Sequence, residues 1–156
     1  THPWPRATRW CSCPPSAAVE MVSMTGEPID PREIERLVES PEHGALLTFA
    51  GVARNNHLGK SVDHLYYEAY EPMALAELGK IEAEIAEQWP GARVAIVHRT
   101  GTVAIGEPSV VISVGAAHRV AAYEASRYAI EELKARVPVW KRETYADGTA
   151  WIANRS

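Results

Sequence analysis

The sequence predicts an α+β fold in a single domain, with a mixed or antiparallel sheet and two long helices. The chain has 156 residues, a length typical of one domain, and 46% of them are hydrophobic, enough to form a core. Strand-like and helix-like segments follow one another irregularly, so hairpins are mixed with helical crossovers. We divide the chain into an N-terminal extension over residues 1–25 and one folded domain over residues 26–156.

The first 25 residues differ in composition from the rest of the chain. They are rich in Pro, Ser and Thr and show no helical or strand periodicity, so we expect a flexible extension. The segment lacks the apolar stretch of a secretory signal, and we favour an extended start over a targeting peptide. Cys11 and Cys13 are the only cysteines, and a spacing of one residue rarely forms a disulfide. We therefore expect free thiols, as in a reducing cytoplasm.

Regular patterns begin near residue 28. Asp30 and Pro31 predict a helix start, because Asp caps the first turn and Pro is tolerated at the first helical position. The apolar run from Gly44 to Arg54 predicts a buried strand. Turn residues then predict a polar loop over residues 55–60.

A strand and a long helix occupy the middle of the chain. Apolar and polar residues alternate from Val62 to Ala69, which predicts a half-buried strand, and a helix follows from Pro72 to about Trp89. The apolar stripe of this helix has the 3.6-residue period and comprises Leu75, Leu78, Ile81 or Glu82, Ile85 and Trp89. Residues 93–98 predict the next strand.

The last third predicts a strand, a helix and two further strands. Ser109 to Ala117 is apolar enough for a central strand, and a third helix follows from His118-Arg119 to about Val137. We expect the core face of this helix to consist of Tyr123, Ile130, Leu133 and Val137. Residues 139–145 and 150–153 predict two closing strands.

Basic side chains concentrate where predicted elements end, although the net charge is -4. They include Arg54, His118, Arg119, Lys134, Arg136, Lys141, Arg142 and Arg155. If the fold brings these ends together, they form a pocket for a phosphorylated or otherwise anionic ligand. Taken singly, Lys134 and Arg136 have a structural explanation, because cations in the last turn offset the helix dipole.

Several other chemistries lack support. An acidic chain with a pI near 5.9 disfavours nucleic-acid binding, and no run of about 18 apolar residues predicts a membrane helix. The sequence contains neither HExxH nor a set of paired cysteines, so we expect no metal site. Glycine-rich phosphate loops are also absent.

Five motifs occur in a fixed order along residues 27–155. They are Thr48–Asn55 with Leu58-Gly59, Val97–Gly101 with Gly106-Glu107, Ala117–Arg119 with Ala122–Ala125, Leu133–Glu143, and Trp151. Together they resemble the conserved motifs of molybdopterin synthase large subunits, the MoaE family. Each motif is short, but their order and spacing make the resemblance specific. It implies an α/β-hammerhead-like fold and a sulfurtransferase activity without a cofactor of its own.

The resemblance also implies roles for individual residues. Lys134 corresponds to the main catalytic lysine, and Lys141 to a second lysine that assists catalysis or binds substrate. The residues that would bind the substrate together with these two lysines are Arg54, His118, Arg119 and Arg155. We expect Lys141 and Arg119 to crowd Lys134 and so to favour its role as a general acid or base.

The family's reaction implies two ligands. A small ubiquitin-like subunit delivers sulfur as a C-terminal thiocarboxylate to cyclic pyranopterin monophosphate (precursor Z), which becomes the dithiolene of molybdopterin. The resemblance implies a homodimer of large subunits within a cytoplasmic heterotetramer. Two alternatives stay open: a non-catalytic docking module for a ubiquitin-like protein, and a phosphometabolite-binding domain. Asn56-His57 departs from the family pattern, and we expect this departure not to touch the catalytic set.

Overall fold

The structure is a computed structural model that describes residues 20–154. It contains strands and helices in an irregular order, which confirms the predicted α+β class. In chain order the elements are β1 (Val22–Thr25), α1 (Pro31–Arg36), β2 (Ala45–Val52), β3 (Asn56–His57), β4 (Lys60–Ala69), α2 (Glu71–Gln88), β5 (Arg93–Arg99), β6 (Gly101–Ala104), β7 (Pro108–Ala116), α3 (Arg119–Arg136), β8 (Val139–Tyr145) and β9 (Ala150–Asn154).

The first sheet has the strand order β1-β5-β7-β2 and is mixed, because β1 runs parallel to β5 while the other neighbours are antiparallel. α2 and α3 pack over the face that carries Ile96 and Ile112, and α1 packs over the face that carries Val97 and Val111. The central strand β7 is buried along nearly its whole length, as its apolar sequence predicts.

Strand β2 is an edge strand of this sheet within the described residues, and the prediction of a buried strand is wrong. Leu46 is 43% exposed and Val52 is 51% exposed. An apolar run cannot by itself distinguish a central strand from an edge strand with one unpaired side.

The second sheet has the order β3-β4-β8-β9, and β6 also pairs with β4. The predicted loop over residues 55–60 is a tight hairpin, with Leu58 and Gly59 at positive φ (51° and 79°) between β3 and β4. Strand β4 pairs with β8 from Val62 to Ala69, and β8 pairs with β9. This sheet places the residues of β4 and β8 beside the C-terminal end of α3.

Two predicted boundaries need correction. Val22–Thr25 pairs with β5, so the predicted flexible extension over residues 1–25 is wrong at its C-terminal end. Residues 1–19, which include Cys11 and Cys13, lie outside the described residues.

The buried face of α3 also differs from the prediction. Tyr123 is 64% exposed, whereas Leu133 is buried as predicted. The face that packs on the sheet is made mainly of small residues: Ala122, Ala125, Ser126, Ala129 and Leu133. Small side chains let the helix lie close to the strands, and an assignment by large apolar residues misses such a face.

Candidate active site

A cavity of about 180 Å³ lies where β2, β4, β8 and the C-terminal end of α3 meet. Three of the predicted site residues, Arg54, Lys134 and Lys141, line this one cavity. Its volume is about six times the space of a water molecule in the liquid, so it is larger than an ordinary packing defect. The structure thus brings together three of the basic residues that the sequence places at the ends of predicted elements.

The junction after α3 explains how Lys134 and Lys141 approach each other. The backbone amide of Val137 donates the last hydrogen bond of the helix to the carbonyl oxygen of Leu133 at 3.0 Å, and Pro138 follows it in the chain. Proline disfavours a helical conformation in the residue before it, and Val137 is extended (φ -75°, ψ 126°). The chain enters β8 directly, so the two lysines stand on different elements that face one cavity.

Lys141 has a buried acidic partner. Its Nζ lies 3.1 Å from Oε1 of Glu143, whose residue is only 3% exposed, and the hydroxyl of Tyr145 donates to Oε2 of Glu143 at 3.1 Å. The alternation of a β-strand places residues 141, 143 and 145 on one face. Sequence reasoning missed Glu143 as a site residue, although this alternation from Lys141 offered a signal.

Arg54 and Lys134 are exposed, and neither forms an ion pair or hydrogen bond with another side chain among residues 20–152. The cavity therefore carries two uncompensated positive charges beside the neutralised pair of Lys141 and Glu143. Such an arrangement suits a ligand with at least one negative charge.

His57 belongs to the same cavity, and the expectation that the Asn56-His57 departure stays clear of the catalytic set is wrong. Its Nδ1 lies 3.5 Å from Oε1 of Glu143, the oxygen that also faces Lys141. The imidazole stacks on Trp151 with ring centroids 5.6 Å apart. The β3–β4 hairpin brings His57 to this position, and a loop prediction could not show it.

His118 and Arg119 do not line this cavity. They are exposed at the N-terminal end of α3, whereas Lys134 lies near its C-terminal end, about 22 Å away at 1.5 Å per residue. Within one chain, the prediction that they share a pocket with Lys134 is wrong, and Arg119 does not crowd Lys134. Arg155 lies outside the described residues.

Arg136 links two helices instead of merely offsetting the dipole of its own. Its Nη1 and Nη2 donate to the two carboxylate oxygens of Glu84 on α2 at 2.8 and 2.7 Å. Tyr128 also donates to Glu84, at 2.7 Å. These donors, Arg136 foremost, lower the pKa of Glu84 to about 2. The link fixes the end of α3 that carries Lys134.

Between residues 20 and 154, no group of three or more His, Cys, Asp or Glu side chains is arranged to hold a metal ion. No helix in this range is long and apolar enough to span a membrane.

Comparisons with known proteins agree with the fold. A family model described as "MoaE protein" matches residues 24–136. The molybdopterin synthase catalytic subunit of Bacillus subtilis (strain 168) is 49% identical over 137 residues, which is 88% of this chain and 87% of the relative. That of Homo sapiens is 44% identical over 136 residues, covering 87% and 72%. The crystal structure of molybdopterin synthase from Staphylococcus aureus matches with a TM-score of 0.83 and 37% identity, covering 86% of this chain and 98% of that one. The chain therefore belongs to the MoaE protein family.

Proposed function

We propose that this chain is the catalytic subunit of a cytoplasmic molybdopterin synthase. It would transfer sulfur from the thiocarboxylated C-terminus of a small ubiquitin-like subunit to precursor Z, a cyclic pyranopterin monophosphate, and so form the dithiolene. The observation that carries the proposal is the convergence of Arg54, Lys134 and Lys141 on one cavity in a chain of the MoaE family.

The positive charges of the cavity are complementary to the negative charges of the two reactants. The phosphate of precursor Z and the thiocarboxylate are both anionic, and two unit charges 4 Å apart near a protein surface repel by about 4 kcal/mol. Arg54 and Lys134 supply fixed positive charge that offsets this repulsion. The phosphate would bind to Arg54, whose planar guanidinium offers paired donors to phosphate oxygens.

Lys134 is the proposed general acid or base. It lines the cavity, stands at a helix end and has no acidic partner among residues 20–154, so its amine is available to the reacting atoms. It would move a proton while the thiocarboxylate sulfur attacks and the cyclic phosphate opens. Lys141 is held by Glu143 at 3.1 Å and would orient the substrate instead.

The partner proposed for this chain is the small ubiquitin-like sulfur carrier. A complex of subunits 1 and 2 of the molybdopterin-converting factor from Helicobacter pylori matches with a TM-score of 0.72 at 21% identity, which supports a shared fold. We expect a homodimer of this chain with one small subunit at each end, and no binding of nucleic acid.

A second copy of the chain would complete the cavity. The open edge of β2 begins with Ala45 beside Ala116, near the start of α3, and ends with Val52 beside Pro108, near Arg54. Antiparallel pairing of two β2 edges about a two-fold axis would place His118 and Arg119 of one copy near Arg54 of the other. The cavity of one chain, at about 180 Å³, is also smaller than the roughly 300–1,000 Å³ of typical small-molecule sites.

The test mixes the purified protein with thiocarboxylated small subunit and precursor Z and follows dithiolene formation. Lys134→Ala should lower the rate by about 100-fold or more, the usual contribution of a positioned acid or base. Lys80→Ala is the matched control, because Lys80 is an exposed helical lysine paired with Glu77 and does not line the cavity. Full activity in Lys134→Ala would contradict the catalytic assignment.

The docking-module alternative makes a different prediction. It requires binding of the small subunit that survives loss of both Lys134 and Lys141, with no turnover of precursor by the unmodified protein. Titration calorimetry with the small subunit, run beside the activity assay, separates the two functions.

A further inference from the structure

A buried histidine forms part of the cavity and has no role in the function proposed above. His98 lies on β5, is 1% exposed and lines the cavity together with Tyr67. The rings of His98 and Tyr67 meet edge to face with centroids 5.2 Å apart. This contact and the surrounding strand fix the plane of the imidazole.

The hydrogen bond at one ring nitrogen determines the tautomer. Nδ1 of His98 lies 2.7 Å from the carbonyl oxygen of Arg99. A carbonyl can only accept, so Nδ1 carries the hydrogen and donates. Burial lowers the pKa of His98, and the ring is neutral. Nε2 therefore carries a lone pair and is an acceptor.

This acceptor has no partner in the described part of the chain. Nδ1 makes the one hydrogen bond that the ring forms there, and Nε2 is left for a molecule in the cavity. Among the described residues, the fully enclosed side-chain atoms without a hydrogen-bond partner are Nε of Arg99 and Nε of Arg136 and not Nε2 of His98, so Nε2 can be reached from the cavity that His98 lines. Small-molecule cavities are lined mainly by apolar groups, with a few placed polar groups that orient the ligand, and Nε2 of His98 can serve as one of these.

We propose that His98 is a further substrate-binding residue, which accepts a hydrogen bond at Nε2 from an N–H group of the heterocycle bound in the cavity. The inference rests on the proposed function and adds to it the orientation of the substrate. Arg54 and Lys134 attract the anionic end of the ligand, and a neutral acceptor suits the end that carries hydrogen-bond donors. Arg54, Lys134 and His98 together determine the orientation of the substrate in the cavity.

Two substitutions of His98 distinguish the contributions of its two ring nitrogens. In His98→Asn the side-chain amide can still donate to the carbonyl of Arg99, but no acceptor remains at the Nε2 position. In His98→Gln the longer side chain places an amide oxygen near the Nε2 position. Ser113→Ala is the control for general loss of stability, because Ser113 is a fully buried polar residue of β7 that does not line the cavity.

The measurements are the equilibrium Kd for precursor Z and its KM and kcat with thiocarboxylated small subunit, with thermal unfolding recorded for each variant. We expect His98→Asn to weaken precursor binding by about 10-fold, a loss typical of one hydrogen bond, with a smaller change in kcat. His98→Gln should bind more tightly than His98→Asn, and Ser113→Ala should bind like the unmodified protein.

The outcomes distinguish this inference from the function on which it rests. Equal Kd values for His98→Asn and the unmodified protein overturn the role of His98 and leave the proposed function standing. Equal losses in His98→Asn, His98→Gln and Ser113→Ala also overturn it, because they report stability alone. Failure of the unmodified protein to bind precursor Z overturns both.

Discussion

At the scale of single residues, Glu143 organises the wall of the cavity. Its carboxylate meets the ammonium group of Lys141, the hydroxyl of Tyr145 and the imidazole of His57. A buried carboxylate is stabilised by such donors and in turn restricts where they can lie. The position of Lys141 thus depends on a neighbour that need not touch the substrate.

Replacement of this carboxylate by an amide tests that dependence. Glu143→Gln keeps the shape but removes the charge, so Lys141 loses its ionic partner, and we expect a destabilisation of about 1–3 kcal/mol together with reduced turnover. Denaturant unfolding and the dithiolene assay measure the two effects. Glu131→Gln removes an exposed partner of Arg127 and should change neither, as is usual for surface ion pairs. If the two variants behave alike, Glu143 does not position Lys141.

At the scale of secondary structure elements, two glycines show opposite tolerance to an added methyl group. A Cβ on Gly115 of β7 would overlap the ring of His43 and the carbonyl oxygen of Val38. His43 is itself fixed between the carbonyls of Val38 and Gly91 at 2.7 and 2.9 Å, so it has little room to move. A Cβ on Gly79 of α2 would meet no atom within 4 Å.

The matching alanine substitutions should therefore shift stability in opposite directions. Gly115→Ala forces the segment after α1 away from the sheet and should destabilise by about 1–3 kcal/mol. Gly79→Ala should stabilise α2 by about 0.5–1 kcal/mol, because alanine loses less conformational entropy in a helix. Chemical denaturation measures both, and a stable Gly115→Ala protein would show that the loop near His43 adapts freely.

The link between α2 and α3 predicts the behaviour of the protein in acid. The folded-state pKa of Glu84 is lowered from 4.5 to about 2, chiefly by the hydrogen bonds from Arg136. A lowered pKa adds stability above the unfolded-state value, and that stability is lost as the pH falls from about 4.5 to about 2.

Glu84→Gln should remove this part of the acid dependence. The free energy of unfolding, measured between pH 5 and pH 2, should fall less steeply in the variant than in the unmodified protein, although the variant is less stable at pH 7. Glu87→Gln, at an exposed position of the same helix, serves as the control. Parallel curves for Glu84→Gln and the unmodified protein would contradict the assignment.

At the scale of the whole molecule, the sequence pattern predicted the elements better than their arrangement. Hydrophobic periodicity located α2, α3 and the main strands, and the basic element ends located Arg54, Lys134 and Lys141. Periodicity carries no information on which strands pair. The entry of His57 and Glu143 into the cavity depends on the β3–β4 and β4–β8 registers. The length of α3 separates His118 from Lys134, which the motif order does not reveal.

This separation permits a test of the assembly by mixing inactive variants. Arg119→Ala and Lys134→Ala should each lose activity, but in a mixed dimer one cavity receives both defects and the other receives none. After subunit exchange we expect recovery of about a quarter of the activity of the unmodified protein, as random pairing across a two-fold axis dictates. Arg127→Ala with Lys134→Ala is the control mixture. No recovery would place Arg119 and Lys134 of one chain at the same cavity, and full activity of Arg119→Ala alone would place Arg119 at neither cavity.

In the proposed dimer a single helix would reach from one reaction centre to the next. α3 runs from Arg119 to Arg136, and Glu84 braces its C-terminal end. In the paired assembly each copy of α3 would carry the general acid or base of its own cavity and a phosphate ligand of the neighbouring one. A rigid helix shared in this way would couple the two turnovers, and precursor titrations of the dimer should then depart from a simple hyperbola.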